Sequence, residues 1–338
     1  MCRAVFERES VACLVDFKRG RLTKKRSSEV RGGLSAALAV EFVLFALSFY
    51  MICPQAAGQS CTSYVVISAF DHKTGADIKN LNADDFQARL GKGKADIVSA
   101  TDEFDDRLLV LLQTDGTRSE KIEDVVNLAT RLVREAPEGK PVAFGVFVKR
   151  AAFTKGFAAE SKQRSREISE IAEEEPSLGN QVHLYDALHQ ALQVFGPHQP
   201  GDTVLLISDG YDEGSDHSAS SVEKEFMEQG TRLMVMLRRT PSHVSGNFMW
   251  TSPERQIHLL QAMSTLTGGT YTMFSAADFK NAWQGYLVGV LLPEGQQRTG
   301  RKFQVQLQGA AAETYRRPNL YFPERLPPCS TPSTTASR

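Results

Sequence analysis

Three polar stretches in this sequence carry oxygens in arrangements that can do chemistry. The first, Gln113-Thr114-Asp115-Gly116-Thr117-Arg118-Ser119, follows the apolar run Leu108–Leu112. The second, Gly179–His183, stands just before Leu184-Tyr185-Asp186-Ala187-Leu188. The third, Ser208-Asp209-Gly210-Tyr211-Asp212-Glu213, ends another apolar run. Asp115, Thr117, Ser119, Asp209 and Asp212 offer carboxylate and hydroxyl oxygens, the donors that a hard divalent cation takes. Metal-dependent hydrolysis at Asp115, Asp209 and Asp212 is one reading of the cluster, although no base, nucleophile or second metal accompanies them. A purely structural reading is that the loops cap helices, since Asp and Thr are favoured at helix N-termini. His183 is placed to reach the same cleft, or else is an ordinary surface histidine. Asp212-Glu213 with Asp216-His217 forms an acidic loop that lacks EF-hand spacing and reads as solvated.

Other catalytic signatures are missing from the sequence. Ser208 is not set in a G-x-S-x-G elbow. Gly91-Lys92-Gly93-Lys94 lacks Walker spacing and reads as a hairpin turn. No HExxH or CxxC occurs, and the seven His are scattered, which argues against a His- or Cys-built centre.

The elements that must position these loops follow from periodicity. Leu108–Leu112, Val142–Val148, Thr203–Ser208 and Arg232–Leu237 are continuous apolar runs, as expected of strands buried on both faces of a parallel sheet. Thr270–Phe274 reads as a fifth strand. Between them lie helical stripes at Glu120–Glu135, Ser161–Glu173, Leu184–Phe195, Ser220–Gln229 and Gln256–Thr267, with Ala276–Leu291 beginning as a helix. The alternation predicts an α/β fold with a doubly wound, mainly parallel sheet. In such a sheet ligands bind at the carboxyl ends of the strands, where all three polar stretches fall. Thr62–Ala69, Phe86–Leu90 and Asp96–Ala100 form a small β module, too thin to own a core. Lys302–Leu307 and Tyr315–Phe322 return to β character and are expected to pair with it. The long stretch Arg238–Gln256 carries Phe248, Met249 and Trp250, either an aromatic anchor for a partner or part of the domain's own core.

Charge is unevenly placed. The whole chain of 338 residues is nearly neutral, at −1, which argues against a dedicated nucleic-acid binder. Residues 1–33 nevertheless hold nine Lys/Arg against four acids, and the apolar run Leu34–Cys53 follows, then Pro54-Gln55-Ala56-Ala57-Gly58. That is the layout of a secretory signal peptide with cleavage before Gln59. A membrane anchor through 34–52 is the alternative, weakened by Glu41 inside the run. Export would leave two of the five cysteines, Cys61 and Cys329, which could pair in an oxidising compartment. The boundaries expected are a leader at 1–58, the β module at 59–104, an α/β domain at 105–295, β-strands at 296–323 and a disordered tail at 324–338.

The order LLVLLQTDGT, FVKRAAFT, LYDAL, TVLLISDGYDEGS and LTGGTY resembles a von Willebrand factor type A domain. More narrowly, with VVISAFDHKTGADIKNLNADDFQARLGKG before it and YLVGVLLPEG and YRRPNLYF after it, the chain resembles the exported von Willebrand factor A-related proteins abundant in acidobacterial genomes. The likeness runs from about Thr62 to Phe322. It implies a Rossmann-like fold and a metal-ion-dependent adhesion site. There an Asp-x-Ser-x-Ser loop, a Thr and a distant Asp hold Mg²⁺, and a ligand carboxylate completes the shell. The distant Asp corresponds to Asp209. The Thr falls on Val182, which has no side-chain oxygen. In the preferred frame the first loop places Gln113 where Asp belongs, with Asp115 and Thr117 in the two Ser positions. A frame shifted by two gives Asp115, Thr117 and Ser119. The resemblance thus implies an exported, non-enzymatic protein-interaction module with a degenerate metal site. No cofactor is certain, and a weakly held Mg²⁺ or other divalent cation is the one candidate. The partner would be a protein or peptide, acidic if metal is held, with no nucleic acid and no membrane except through an uncleaved leader. A structural envelope component without a metal site is the alternative.

Overall fold

The computed structural model describes residues 60–114, 136–174, 181–237, 253–273, 284–292 and 301–329, with single helical positions at 127 and 131. All of these belong to one compact unit, 58–338. The leader, the helix expected at 120–135 for all but those two positions, and the loop with Phe248 and Trp250 lie outside the described residues. Among the described residues no helix is long and apolar enough to cross a membrane.

Among the described residues two six-stranded sheets build the unit. The first contains β4 (Leu108–Gln113), β5 (Val142–Phe147), β6 (Ala151–Phe153), β7 (Thr203–Ser208), β8 (Arg232–Leu237) and β9 (Tyr271–Met273), in the order β6-β5-β4-β7-β8-β9. All neighbours are parallel except β5 and β6. Every residue of β4, β5, β7 and β8 is buried, which is why these strands read as unbroken apolar runs. This sheet's described helices include α1 (Ser161–Glu174), α2 (Leu184–Val194), α3 (Ala219–Gln229) and α4 (Pro253–Leu266). α2 turns Leu184, Ala187, Leu188, Ala191 and Leu192 into the core, the spacing of a single helical face. β5 lies on one side of β4 and β7 on the other, so the strand order reverses at β4 and opens a crevice at its carboxyl end.

The second sheet is antiparallel. It contains β1 (Cys61–Phe70), β2 (Phe86–Leu90), β3 (Gly93–Thr101), β10 (Tyr286–Leu292), β11 (Phe303–Leu307) and β12 (Asn319–Tyr321), in the order β11-β2-β3-β10-β1-β12; a short helix α5 (Gly309–Thr314) joins its last two strands in sequence. The first three strands are indeed too few to enclose a core. With the last three they do: Ile67, Phe86, Leu90, Val288, Val290, Phe303 and Leu307 form a second apolar cluster. The stretch Ala276–Leu291, expected to begin as a helix, has its beginning outside the described residues and ends in β10. Its run YLVGVLL pairs with β1 on one side and β3 on the other, and Val288, Val290 and Leu292 point inward at strand period. Gly289 suits this place because a Cβ there would stand 2.5 Å from Ser99 Oγ, at the point where the register shifts.

The two sheets meet at the amino ends of the parallel strands. The Arg232 guanidinium, at the start of β8, donates to Thr203 Oγ1 (3.2 Å) at the start of β7 and to Ser68 Oγ (3.0 Å) of β1. The chain after β12 runs along this seam. Glu324 N–H donates to Leu266 O (3.0 Å), Phe303 N–H to Glu324 O (2.7 Å), and Ser63 Oγ to Pro327 O (2.8 Å). A disulfide then joins Cys329 to Cys61, with Cα atoms 5.8 Å apart. Residues 324–329, which their composition assigns to a disordered tail, are therefore anchored. Leu326 is buried in the second core, and the Pro residues suit an extended strap. Six residues along β7 and β8, about 16 Å away at strand rise, the carboxyl ends face away from the second sheet.

Candidate functional site

Gln113 is the last residue of β4 and is 1% exposed. Its Oε1 accepts hydrogen bonds from Ser208 Oγ (2.5 Å) and from the Asp209 N–H (3.1 Å), and Ser208 Oγ in turn accepts from the Gly210 N–H (2.9 Å). The amide thus ties the carboxyl ends of β4 and β7 together. Because the Asp209 N–H can only donate, the amide corner facing it must be oxygen. The other corner, Nε2, is buried and has no hydrogen-bond partner among the described residues. Asp209 is half-buried and one of its oxygens accepts from the Tyr211 N–H (3.0 Å), an Asx turn that bends the loop. The first and third polar stretches therefore meet at Gln113 and Asp209. Asp115, Thr117 and Ser119 lie outside the described residues.

The second stretch meets the third through its backbone. Val182 N–H donates to Glu213 Oε2 (3.0 Å), and Glu213 N–H donates to Val182 O (2.7 Å). The Val182 side chain is buried and belongs to the apolar cluster of the parallel sheet. Next to it, α2 begins without a cap of its own: His183 at the N-cap makes no side-chain capping bond. The third loop supplies the cap instead. Asp212 Oδ1 accepts from Leu184 N–H (2.8 Å) and Ser215 Oγ (2.5 Å), and Ser215 Oγ accepts from the N–H groups of Tyr185 (3.0 Å) and Asp186 (3.2 Å). Gln256 of α4 closes the arrangement, bonding both the N–H and the carbonyl of Asp212.

Asp186 holds the far end of the same loop. It accepts from the N–H groups of Asp216 (3.0 Å) and His217 (2.9 Å), from His217 Nδ1 (2.7 Å), and pairs with His183 Nδ1 (3.2 Å). Burial works to raise its carboxyl, but these donors outweigh it and hold the group below the ordinary value. The His217 ring stacks on His189, centroids 4.0 Å apart, and His189 Nδ1 pairs with Glu225 (2.7 Å). Tyr185 sits under the loop, its hydroxyl buried without a partner; burial, then the Asp212 charge, push its pKa up to about 12.

The acidic loop is thus not simply solvated. Asp212 and Ser215 satisfy the N-terminal amides of α2, and Glu213 holds Val182 just before it, which is the capping alternative carried out by a loop distant in sequence. His183 lies beside the cleft with its ring turned onto Asp186. Asp186, Ser215 and Gln256 are the contributors that sequence reasoning misses. Asp186 carries a faint signal as an acid in the first turn of a helix, whereas nothing local in Gln256 points to a loop 44 residues away.

The described residues do not supply the oxygen set that the resemblance implies. A carboxamide stands at 113 with its oxygen facing inward, an apolar side chain stands at 182, and the Asp212 carboxylate is engaged by backbone and hydroxyl donors. Among the described residues no group of three or more His, Cys, Asp or Glu is arranged to hold a metal ion.

No family model matches the chain, and no curated protein matches it. Solved structures similar to it include the conserved hypothetical protein BatB from Bacteroides thetaiotaomicron, 17% identical over 52% of this chain and 95% of that one, with a TM-score of 0.40. A von Willebrand factor type A protein from Catenulispora acidiphila is 10% identical over 82% of this chain and 76% of that one, with a TM-score of 0.42. Proximal thread matrix protein 1 from the mussel byssus, described with a zinc-occupied MIDAS motif, is 16% identical over 54% and 46%, with a TM-score of 0.41.

Proposed function

We propose that the chain is an exported interaction module of the von Willebrand factor A type, without enzymatic activity, that engages a protein or peptide through the carboxyl-end rim of its parallel sheet. One observation carries the reading. Gln113, the 208–217 loop and the start of α2 converge at the end of the sheet that the antiparallel sheet leaves uncovered. The rim carboxylates at 186 and 212 serve backbone amides rather than a reacting group, which favours recognition over catalysis. Export is supported by the basic and apolar leader and by the bond between Cys61 and Cys329, which suits an oxidising compartment.

A photo-crosslinking amino acid tests the reading in the producing cell. It is placed at exposed position 149, just beyond β5 on the rim, and in a second variant at position 98 on β3. The rim position should give discrete adducts and position 98 should not. Adducts from position 98 alone would favour the structural reading, in which the antiparallel sheet mediates assembly; Val98, 51% exposed, is the observation on that side.

A further inference from the structure

We infer that the rim works without a divalent cation, because the Gln113 carboxamide occupies the position from which a carboxylate would face the metal. This deepens the proposal above and rests on it for the identity of the binding face. The argument begins with the orientation of the amide. Ser208 Oγ and the Asp209 N–H both bond its oxygen, so Nε2 is forced to the opposite corner. There it is buried with no acceptor among the described residues. An N–H₂ group carries partial positive charge and offers no lone pair, whereas a hard cation takes oxygen ligands. Neither end of the amide is a ready ligand: the oxygen is engaged by Ser208 and Asp209, and the nitrogen has no lone pair to give.

Among the described residues, Val182 and Asp212 do not compensate. Val182 could contribute only backbone atoms, and both its N–H and its carbonyl are bonded to Glu213. Each Asp212 oxygen is already an acceptor, from Leu184 and Ser215. Recruiting Asp212 to a metal would uncap α2. A ligand carboxylate therefore has no metal to complete at this position, and recognition proceeds through hydrogen bonds and surface shape that chelators do not disturb.

The test is calorimetric titration of the purified protein with Mg²⁺, Mn²⁺ and Ca²⁺, alongside the double variant Gln113→Glu with Val182→Thr. Gln113→Glu keeps the acceptor for Ser208 and Asp209 and exchanges the N–H₂ for a carboxylate oxygen; Val182→Thr supplies a hydroxyl of nearly the same volume. The natural protein should show no saturable heat up to about 1 mM, the weak end of extracellular calcium modules. The variant should gain saturable binding with an affinity at least about tenfold tighter than that limit. Micromolar binding by the natural protein overturns the inference. So does a variant that melts cooperatively yet stays silent. The crosslink at position 149 separates the two proposals. Its loss in EDTA sinks the cation-free rim while leaving the binding face standing, whereas its absence under all conditions sinks the binding face and leaves the titration result intact.

Discussion

Both ends of the parallel sheet carry carboxylates, buried at the amino end and half-buried at the carboxyl end, and the two ends use them differently. At the amino end, Asp202 and Asp106 face cations. Arg107 donates Nε to Asp202 Oδ1 (2.8 Å) and Nη2 to Oδ2 (2.6 Å), and Lys140 pairs with Asp106. The same guanidinium donates to the carbonyls of Phe195 and Pro197 and lies over the rings of Phe157 and Phe195, 5.2 and 5.3 Å from their centroids. At the carboxyl end, Asp212 and Asp186 face backbone amides, a hydroxyl and imidazoles. The first arrangement ties the start of β4 to the chain that leads from α2 into β7. The second holds a rim loop in shape by satisfying a helix start. A charge that sits against a fixed opposite charge is costly to orphan, while a carboxylate that caps amides is replaced in part by water.

The largest expected effect lies at the amino end. Arg107→Ala leaves the Asp202 carboxylate, whose side chain is wholly buried, without its bidentate partner. The expected loss is about 3–5 kcal/mol of unfolding free energy, read from urea denaturation. A loss below about 1 kcal/mol, the range of an exposed pair, would erase the contrast between the ends. Asp212→Ala should cost less, about 0.5–2 kcal/mol, the range of a removed helix cap. Its effect should be local: faster hydrogen exchange at the Leu184 and Tyr185 amides, with the strand amides of β4 and β7 unchanged. Uniform acceleration across the sheet would place Asp212 in the same category as Asp202.

Much of this division can be read from the residues. Unbroken runs such as LLVLL and TVLLIS announce strands buried on both faces, and the loops that follow them must lie at one end of the sheet. That is enough to bring Gln113 and Asp209 together. The short β6, three residues long, carries too little period to be seen. β10 is hidden for a different reason. YLVGVLL is apolar at nearly every position, so periodicity alone does not separate a buried strand from a buried helix, and its partners lie far back in the chain, β3 nearly 200 residues earlier and β1 well over 200. The capping of α2 is invisible because its donors and acceptors come from separate loops. A helix with His at its N-cap gives no hint that Asp212 and Ser215 complete it. Gln113 is recognisable as a departure from the expected Asp, but the direction its amide faces is set by Ser208 and the Asp209 backbone, which only coordinates can supply.

The smallest expected effect is also the one that sets the two ends against each other in sign. Donors hold the Asp186 carboxyl below its ordinary value of 3.8, so its contribution to stability is present above that pH and is lost as pH falls through the lower, folded value. Burial raises the Asp202 carboxyl despite Arg107, so its protonated form is the one that folding favours. That contribution is present below the ordinary carboxylate value and fades as pH rises through the folded one. Urea midpoints of Asp186→Asn and Asp202→Asn, measured against the natural protein between pH 3 and pH 7, separate the two. The deficit of Asp186→Asn should shrink as the solution is acidified, because the natural carboxylate is then losing its charge as well. Asp202→Asn should run the other way, with its disadvantage smallest where the natural carboxylate is ionised in its buried site. Parallel pH profiles for the two variants would mean that cations at one end and amides at the other do equivalent work on their acids.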